Sequence, residues 1–182
     1  MLRSLILGVA VVLALAASAS AGQVFRETLH DERTFELADY CDVVGLTVRI
    51  ASVIDMRFKV TPHGDGFAYF LSHATQHETI TNVANGKTLT SRALVNEKDH
   101  QITVNDDGTL TIVVMATGNA VLYGADGKAI ARNPGQLRFE LLIDDAGTPS
   151  DPSDDVVTRL GVVKGSTGRS DSVCGAAVPA LR

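Results

Sequence analysis

The chain has 182 residues, with 21 acidic against 16 basic side chains and a formal net charge of −5. This acidic balance, without a concentrated cluster of Lys and Arg, disfavours nucleic acid and anionic membrane surfaces as partners, because both are bound through basic patches. Trp is absent, so the core of a single domain of this size must be built from aliphatic side chains with Phe and Tyr.

The first 21 residues have the three parts of a secretory signal peptide. Arg3 supplies the positive n-region, and residues 5–16 form an apolar run. Two small-residue triplets, at 17–19 and 19–21, offer alternative cleavage sites. The apolar run is shorter than the roughly 20 residues that span a bilayer, and no Cys follows it to accept a lipid anchor. We therefore expect a secreted protein that is not inserted in the membrane after signal cleavage, with a polar, flexible N-terminal arm at residues 22–33.

Cys41 and Cys174 are the two cysteines of the chain. In an oxidising compartment an isolated pair forms a disulfide by default, so we expect these two residues to pair with each other. The bridge would tie together the two ends of one domain at residues 34–182. Because it closes a loop of about 130 residues, the chain-entropy model gives a stabilisation of up to about 5 kcal/mol. The alternative role, a catalytic thiol, requires a free Cys beside a base.

From residue 34 onward the chain is a succession of strand-like segments. β-Branched content and alternation predict strands at 34–37, 46–53, 57–61, 67–82, 87–96, 100–105, 109–117, 119–123, 137–143 and 156–163. Asn85-Gly86 is the strongest hairpin signal, and Asp126-Gly127 and Asn133-Pro134-Gly135 also indicate turns. No convincing amphipathic helix interrupts this series.

The strand predicted at 137–143 shows the clearest alternation. Leu137, Phe139, Leu141 and Ile143 fall on one face, while Arg138 and Glu140 fall on the other. This pattern is typical of a strand that buries only one face, as antiparallel sheets commonly do.

The order of strands and hairpins predicts an all-β fold. An open sheet of this length would leave two exposed edges and a bare apolar face, so we expect an antiparallel up-and-down meander closed into a β-barrel of about eight to nine strands. A β-sandwich is the alternative, although sandwiches usually have longer crossing connections. We expect the domain to be a monomer.

A block near the C-terminus carries a family resemblance. It comprises residues 133–144, the loop GTPSDPSDD, the segment GVVKGSTGRSD and Cys174. This block resembles an uncharacterised family of small secreted bacterial proteins, and the likeness extends over nearly the whole mature chain. In topology and size the chain is also similar to the eight-stranded barrels of the allene oxide cyclase and dirigent type. That second likeness implies an interior that binds or reshapes small hydrophobic molecules, and neither likeness implies a particular site residue.

The loop that follows residue 143 is rich in carboxylates that are candidates for calcium ligands. Ca²⁺ takes six to eight oxygen ligands, and a short flexible loop can supply several of them. The spacing differs from the EF-hand pattern, and a solvated acidic loop with turns set by Pro is the alternative. No cofactor other than possible Ca²⁺ is expected. The calcium candidates are Asp144, Asp145, Asp151, Asp154 and Asp155.

His73 and His77 lie in a segment predicted as a strand. Four residues of strand span about 13 Å, which is too far for the two rings to share one Zn²⁺. We expect instead that Tyr69, His73, His77 and Arg92 are candidates for lining a polar part of the barrel interior. Within this set, His73, His77 and Arg92 are the candidates for acid–base catalysis.

Three functions are compatible with these features. The first is a secreted, non-catalytic binding protein for a small molecule in the barrel cavity or for an extracellular surface partner. The second is a barrel enzyme of the isomerase or cyclase type that acts on a small hydrophobic molecule. The third is a structural or interaction protein of the cell envelope. The residues that face the interior distinguish these functions, because a binding site or active site requires polar groups that converge in an apolar cavity.

Overall fold

Seven long strands form one antiparallel sheet in the computed structural model, which describes residues 24–64, 67–147 and 154–182. The strands pair in sequence order, each with its neighbours in the chain. Their bounds are β1 (Phe25–Leu37), β2 (Val48–Pro62), β3 (Ala68–Asn82), β4 (Thr88–Val104), β5 (Leu110–Tyr123), β6 (Ala129–Asp144) and β7 (Val156–Lys164). A short 3₁₀ helix (Tyr40–Asp42) follows β1, and an α-helix, α1 (Val173–Leu181), follows β7. The all-β, antiparallel meander predicted from the sequence is therefore confirmed.

The strands are fewer and longer than the sequence predicts, because three pairs of predicted strands are continuous. Residues 54–56, which separate the strands predicted at 46–53 and 57–61, lie inside β2, where Asp55 pairs with His30 on one side and with Thr75 on the other. These residues have no favoured turn pair such as Asn-Gly, and pairing on both sides keeps them in the strand. The predicted turn at Asn133-Pro134-Gly135 likewise lies inside β6, paired with β5.

The N-terminal arm and the C-terminal tail also differ from the predictions. Residues 25–33, which were expected in a flexible arm, belong to β1 and pair with β2. The last residues form α1, in a part of the chain for which no element is predicted from the sequence. The predicted signal peptide, residues 1–21, lies outside the described residues. Within the described ranges, no helix has the length and apolarity needed to cross a membrane.

The sheet is open in the described part of the chain, since β1 pairs only with β2 and β7 only with β6. Closure into a barrel is therefore not confirmed, and the strands form one sheet rather than the two of a sandwich. The strand count gives a physical reason. In a meander with an odd number of strands the first and last strands run in the same direction, so closure would need one parallel seam in an otherwise antiparallel sheet.

Helix α1 lies across one end of the sheet, which is called the helix end. Ser172 caps α1, because its Oγ accepts the N–H of Gly175 at 3.0 Å. The helix packs on β4 and β6, and Cys174 forms a disulfide with Cys41, just after β1. In a flat sheet β1 and β6 would lie about 24 Å apart, whereas a helix is only about 10 Å wide. One core combines side chains of β2, β3, β4, β5 and β6 with those of α1, so the sheet curls around the helix. The predicted Cys41–Cys174 pairing is confirmed.

The described residues form two separate apolar cores. The core at the helix end contains Tyr40, Leu46, Val48, Ile50, Ile80, Leu89, Leu122, Ala131, Ala177 and Leu181. The second core lies between β5 and β6 at the opposite end, and it contains Ile112, Val114, Phe139, Leu141 and Ile143. Three of the four residues in the predicted alternation on β6 are buried there, and the fourth, Leu137, packs against them.

The segment between β7 and α1 runs beside β6 and brings the chain back to the helix end. Thr167 donates its N–H to the carbonyl oxygen of Gln136 at 3.1 Å. The backbone N–H of Arg132 donates to Oδ2 of Asp171 at 2.9 Å. Between these two contacts, Gly168 packs directly on the backbone of Pro134, and a Cβ at position 168 would overlap the Pro134 carbonyl.

This contact predicts that Gly168→Ala destabilises the protein, because the clash is with backbone atoms that cannot move aside independently. We expect a loss of about 2 kcal/mol or more in the free energy of unfolding, measured by urea titration. Gly165→Ala is the matched control, since nothing lies within 4 Å of a Cβ at that position. Its effect should stay within about 0.5 kcal/mol. Equal stabilities of the two variants would contradict this packing.

Candidate functional site

One face of the sheet, the inner face, carries alternate residues of β2 that are almost fully buried. Side chains on paired residues of neighbouring strands point to the same side, so the register extends the inner face from β2 across the sheet. The β2 residues that define this face, each at most 7% exposed, are Val48, Ile50, Ser52, Ile54, Met56, Phe58 and Val60.

A row of inner-face residues crosses the sheet from β1 to β7 and has one charged member. The row consists of Phe25, Val60, Phe70, Asp99, Val114, Phe139 and Val162. Phe58 adds a further ring beside it, with centroids 6.0 Å from Phe25 and 5.4 Å from Phe70. Asp99 therefore lies in an apolar and aromatic environment.

The Asp99 carboxylate is held by the backbone of β3. Its Oδ2 accepts the N–H of Phe70 at 2.8 Å, and a β-bulge follows between Asp99 and Gln101. Burial raises the pKa of Asp99 to about 6; the hydrogen bond from Phe70 opposes this change, and the negative charge of Glu97 adds to it. Asp99 can thus hold or release a proton close to neutral pH.

Glu97 lies two residues before Asp99, on the same face of β4. Burial raises the pKa of Glu97, and the positive charge of Arg159 on β7 partly offsets this effect. The guanidinium of Arg159 lies over the ring of Phe139, 4.4 Å from the ring centroid. Glu97 thus has a positive charge nearby, whereas the charged neighbour of Asp99 is Glu97 itself.

A second polar group lies on the inner face, closer to the helix end. Gln76 donates through Nε2 to Oγ of Ser52 at 3.2 Å and to Oε1 of Glu78 at 2.8 Å. Burial raises the pKa of Glu78, while the charge of Arg33 and the hydrogen bond from Gln76 lower it. This group is hydrogen-bonded internally, so it offers a ligand fewer open positions than Glu97 and Asp99 do.

The four residues predicted to line the interior lie on the opposite, outer face. His73, His77 and Arg92 are exposed, and Tyr69 is half-buried. The Nδ1 atom of His73 lies 2.6 Å from Oδ1 of Asn96, within an exposed outer-face pair. His77 is the register partner of Arg92. These residues therefore line no interior surface, and the structure does not bring them into the site with Asp99.

The prediction placed these four residues on the wrong face because side chains alternate between the two faces of a strand. Both faces of β3 mix polar and apolar residues, and a shift of one residue exchanges the faces. Pairing with the strongly alternating β2 decides the outcome, because Phe70 and Ser72 lie opposite Val60 and Phe58. The turn at Asn85-Gly86 is also longer than a two-residue hairpin loop, since Thr81 pairs with Thr88.

The predicted calcium ligands lie at the two ends of a loop whose centre, residues 148–153, is outside the described residues; Asp151 belongs to that part. Asp144 accepts the N–H of Ala146 at 3.0 Å, and Asp145 accepts the N–H of Gly147 at 2.9 Å. Asp154 and Asp155 precede β7. Within the described ranges no group of three or more His, Cys, Asp or Glu residues has the arrangement of a metal site. Calcium binding stays a prediction.

The described chain is thus an all-β protein with carboxyl groups on the inner face of a curled sheet. No protein-family model matches the sequence, and the comparisons with curated proteins and with solved structures give no match. Function has to be argued from the site itself.

Sequence reasoning missed the site because it assigned residues 97–99 to a turn. Their signal was present, since Glu97 and Asp99 follow Val95 at the period of two that a strand face requires. The sequence does not show which residues of other strands lie next to Glu97 and Asp99. Phe70, Val114 and Phe139 come from three different strands, and only the register brings them into one row with Asp99.

The environment of Asp99 predicts a dependence of stability on pH. Between the ordinary Asp pKa near 4 and a value of about 6, the folded state binds more protons than the unfolded state, so the free energy of unfolding falls as pH rises through this window. Asp99→Asn should remove this component, which is on the order of 1–3 kcal/mol. The measurement is urea unfolding from pH 4 to 8.

The matched control is Asp106→Asn, which makes the same chemical change at an exposed position in the turn between β4 and β5. It should retain the wild-type pH profile. If Asp99→Asn and Asp106→Asn give the same profile as the wild type, Asp99 does not lie in the apolar row.

Proposed function

We propose that this protein is a secreted, non-catalytic binding protein whose inner face takes up a small, largely apolar molecule and holds its polar group at Glu97 and Asp99. The observation that carries the proposal is the position of these two half-buried carboxyl groups in a row of aromatic and aliphatic side chains. Burying carboxylates costs free energy that apolar residues in the same positions would not cost. Perturbed ionisable groups of this kind are concentrated at functional sites.

The charges of the site indicate the polar group of the ligand. The positive charge of Arg159 acts on Glu97 while its guanidinium stacks on Phe139, and among the described residues Asp99 has only the negative charge of Glu97 as its charged neighbour. A ligand that supplies hydrogen-bond donors or a positive charge would replace the water that these carboxylates lose. An amine or a hydroxylated molecule fits this requirement better than an acid does.

The shape of the inner face supports an apolar ligand body. Between the two cores, the inner face of β3, β4 and β5 carries small, half-buried side chains, namely Ala74, Ala93, Ala116 and Ala120. These alanines occupy less volume over the sheet than Leu or Phe would at the same positions. The half-buried ring of Phe70 borders the same area, so an apolar body has aromatic surface to pack against.

Secretion is part of the proposal, and two features support it. Residues 1–21 have the composition of a signal peptide, and the Cys41–Cys174 bridge suits an oxidising compartment.

An isomerase or cyclase is the second candidate, and one observation favours it. A carboxyl group with a pKa of about 6 is suited to take up and return a proton at neutral pH, as a general base must. In this case Asp99 would take the role that the sequence suggested for His73, His77 and Arg92. Turnover of a bound probe, rather than simple retention, would distinguish the enzyme from the binding protein.

The binding proposal predicts that a dansyl-labelled alkyl amine binds saturably to the full-length secreted protein, with increased dansyl fluorescence. Asp99→Asn combined with Glu97→Gln should weaken this binding about tenfold or more, which corresponds to roughly 1.4 kcal/mol. Dansyl-labelled fatty acid of equal length should bind more weakly to the wild type, because its carboxylate meets like charge.

Asp106→Asn combined with Glu36→Gln is the matched control, since both side chains are exposed and lie away from the row. It should bind the amine as the wild type does. Absence of saturable binding by either probe, or equal binding by all three proteins, would contradict the proposal.

A further inference from the structure

The last strand, β7, is apolar on both faces although it lies at the edge of the sheet. Four of its aliphatic side chains are more than half exposed: Val156 (59%), Leu160 (51%), Val162 (57%) and Val163 (53%). Strands with apolar residues on both faces are typical of positions that are covered on both sides. An exposed apolar edge is normally protected, because its unpaired N–H and C=O groups accept another strand.

The opposite edge of the same sheet, β1, is also unpaired on its outer side within the described residues. Thirteen residues of β1 are available along this edge, against nine in β7. The sheet therefore presents two open edges of comparable length. Each would gain main-chain hydrogen bonds from a partner strand.

The two edges carry opposite charge. β7 contains Arg159 and Lys164 and no acidic residue. β1 contains four acidic side chains against two basic ones, Arg26 and Arg33, apart from His30. Like edges would therefore repel each other, whereas β7 and β1 attract each other.

These edges cannot meet antiparallel within one chain, because seven strands in meander order leave β1 and β7 running the same way. Two separate copies have no such restriction. The β7 edge of one copy can approach the β1 edge of the next in the antiparallel direction, which is the more stable pairing.

We propose that copies of this chain associate head to tail, with β7 of one copy adding to β1 of the next. The contact is heterologous, so it builds a ring if the rotation closes and an open chain if it does not. This inference is independent of the proposed ligand, because it uses the edges of the sheet rather than the inner face.

A charge-swap experiment tests this pairing by sedimentation of the full-length secreted protein from micromolar to millimolar concentration. The wild type should associate as its concentration rises, and less so at high salt. Thr158→Glu with Lys164→Glu reverses the β7 edge, and Glu27→Lys with Glu32→Lys reverses the β1 edge; all four residues are exposed. Each reversed protein alone should associate about tenfold more weakly, whereas a one-to-one mixture of the two should associate like the wild type.

Thr103→Glu with Lys98→Glu is the matched control, because it makes the same two changes at exposed positions of β4, in the middle of the sheet. It should associate like the wild type. A wild type that stays monomeric over the whole concentration range would overturn the proposal. A mixture of reversed proteins that fails to associate would overturn it as well.

Discussion

Helix α1 connects strands from opposite halves of the sheet. The bond from Cys174 to Cys41 ties it to the segment that follows β1, while the helix itself packs on β4 and β6. Ala177 and Leu181 are fully buried as a result, and the carbonyl of Leu181 accepts a hydrogen bond from Asn82 at the end of β3. A nine-residue helix has little stability by itself, so its docking and the curl of the sheet support each other.

The carboxyl groups of the inner face lie between two regions that are filled by apolar side chains. The helix end is filled by aliphatic side chains, and the far end by the second core on β5 and β6. Between them the inner face carries small residues and the carboxyl groups of Glu97 and Asp99. Among the described residues this sheet curls without closing, so β1 and β7 each lack a partner strand on one side. The proposed ligand surface and the proposed contact between copies thus have one structural origin.

The sequence predicts those features that depend on residues close together in the chain. Alternation identifies the buried face at residues 137–143, and Asn85-Gly86 identifies a hairpin. The disulfide follows from the cysteine count. The site does not follow, because the inner face is set by pairing between strands, and one residue of slip moves His73 inward and Asp99 outward. Helix α1 is likewise hard to predict, since it is short, contains Gly175 and Pro179, and is stabilised by packing.

The most direct test of this account is the unfolding of the protein without its bridge. Cys41→Ser with Cys174→Ser frees a loop of 133 residues, and the free energy of unfolding should fall by roughly 3–5 kcal/mol. Hydrogen exchange at the helix end, in α1 and at the start of β2, should accelerate more than exchange in the second core at Val114. Equal stability of the two proteins, with unchanged exchange in α1, would contradict the claim that the bridged helix holds the sheet in its curled form.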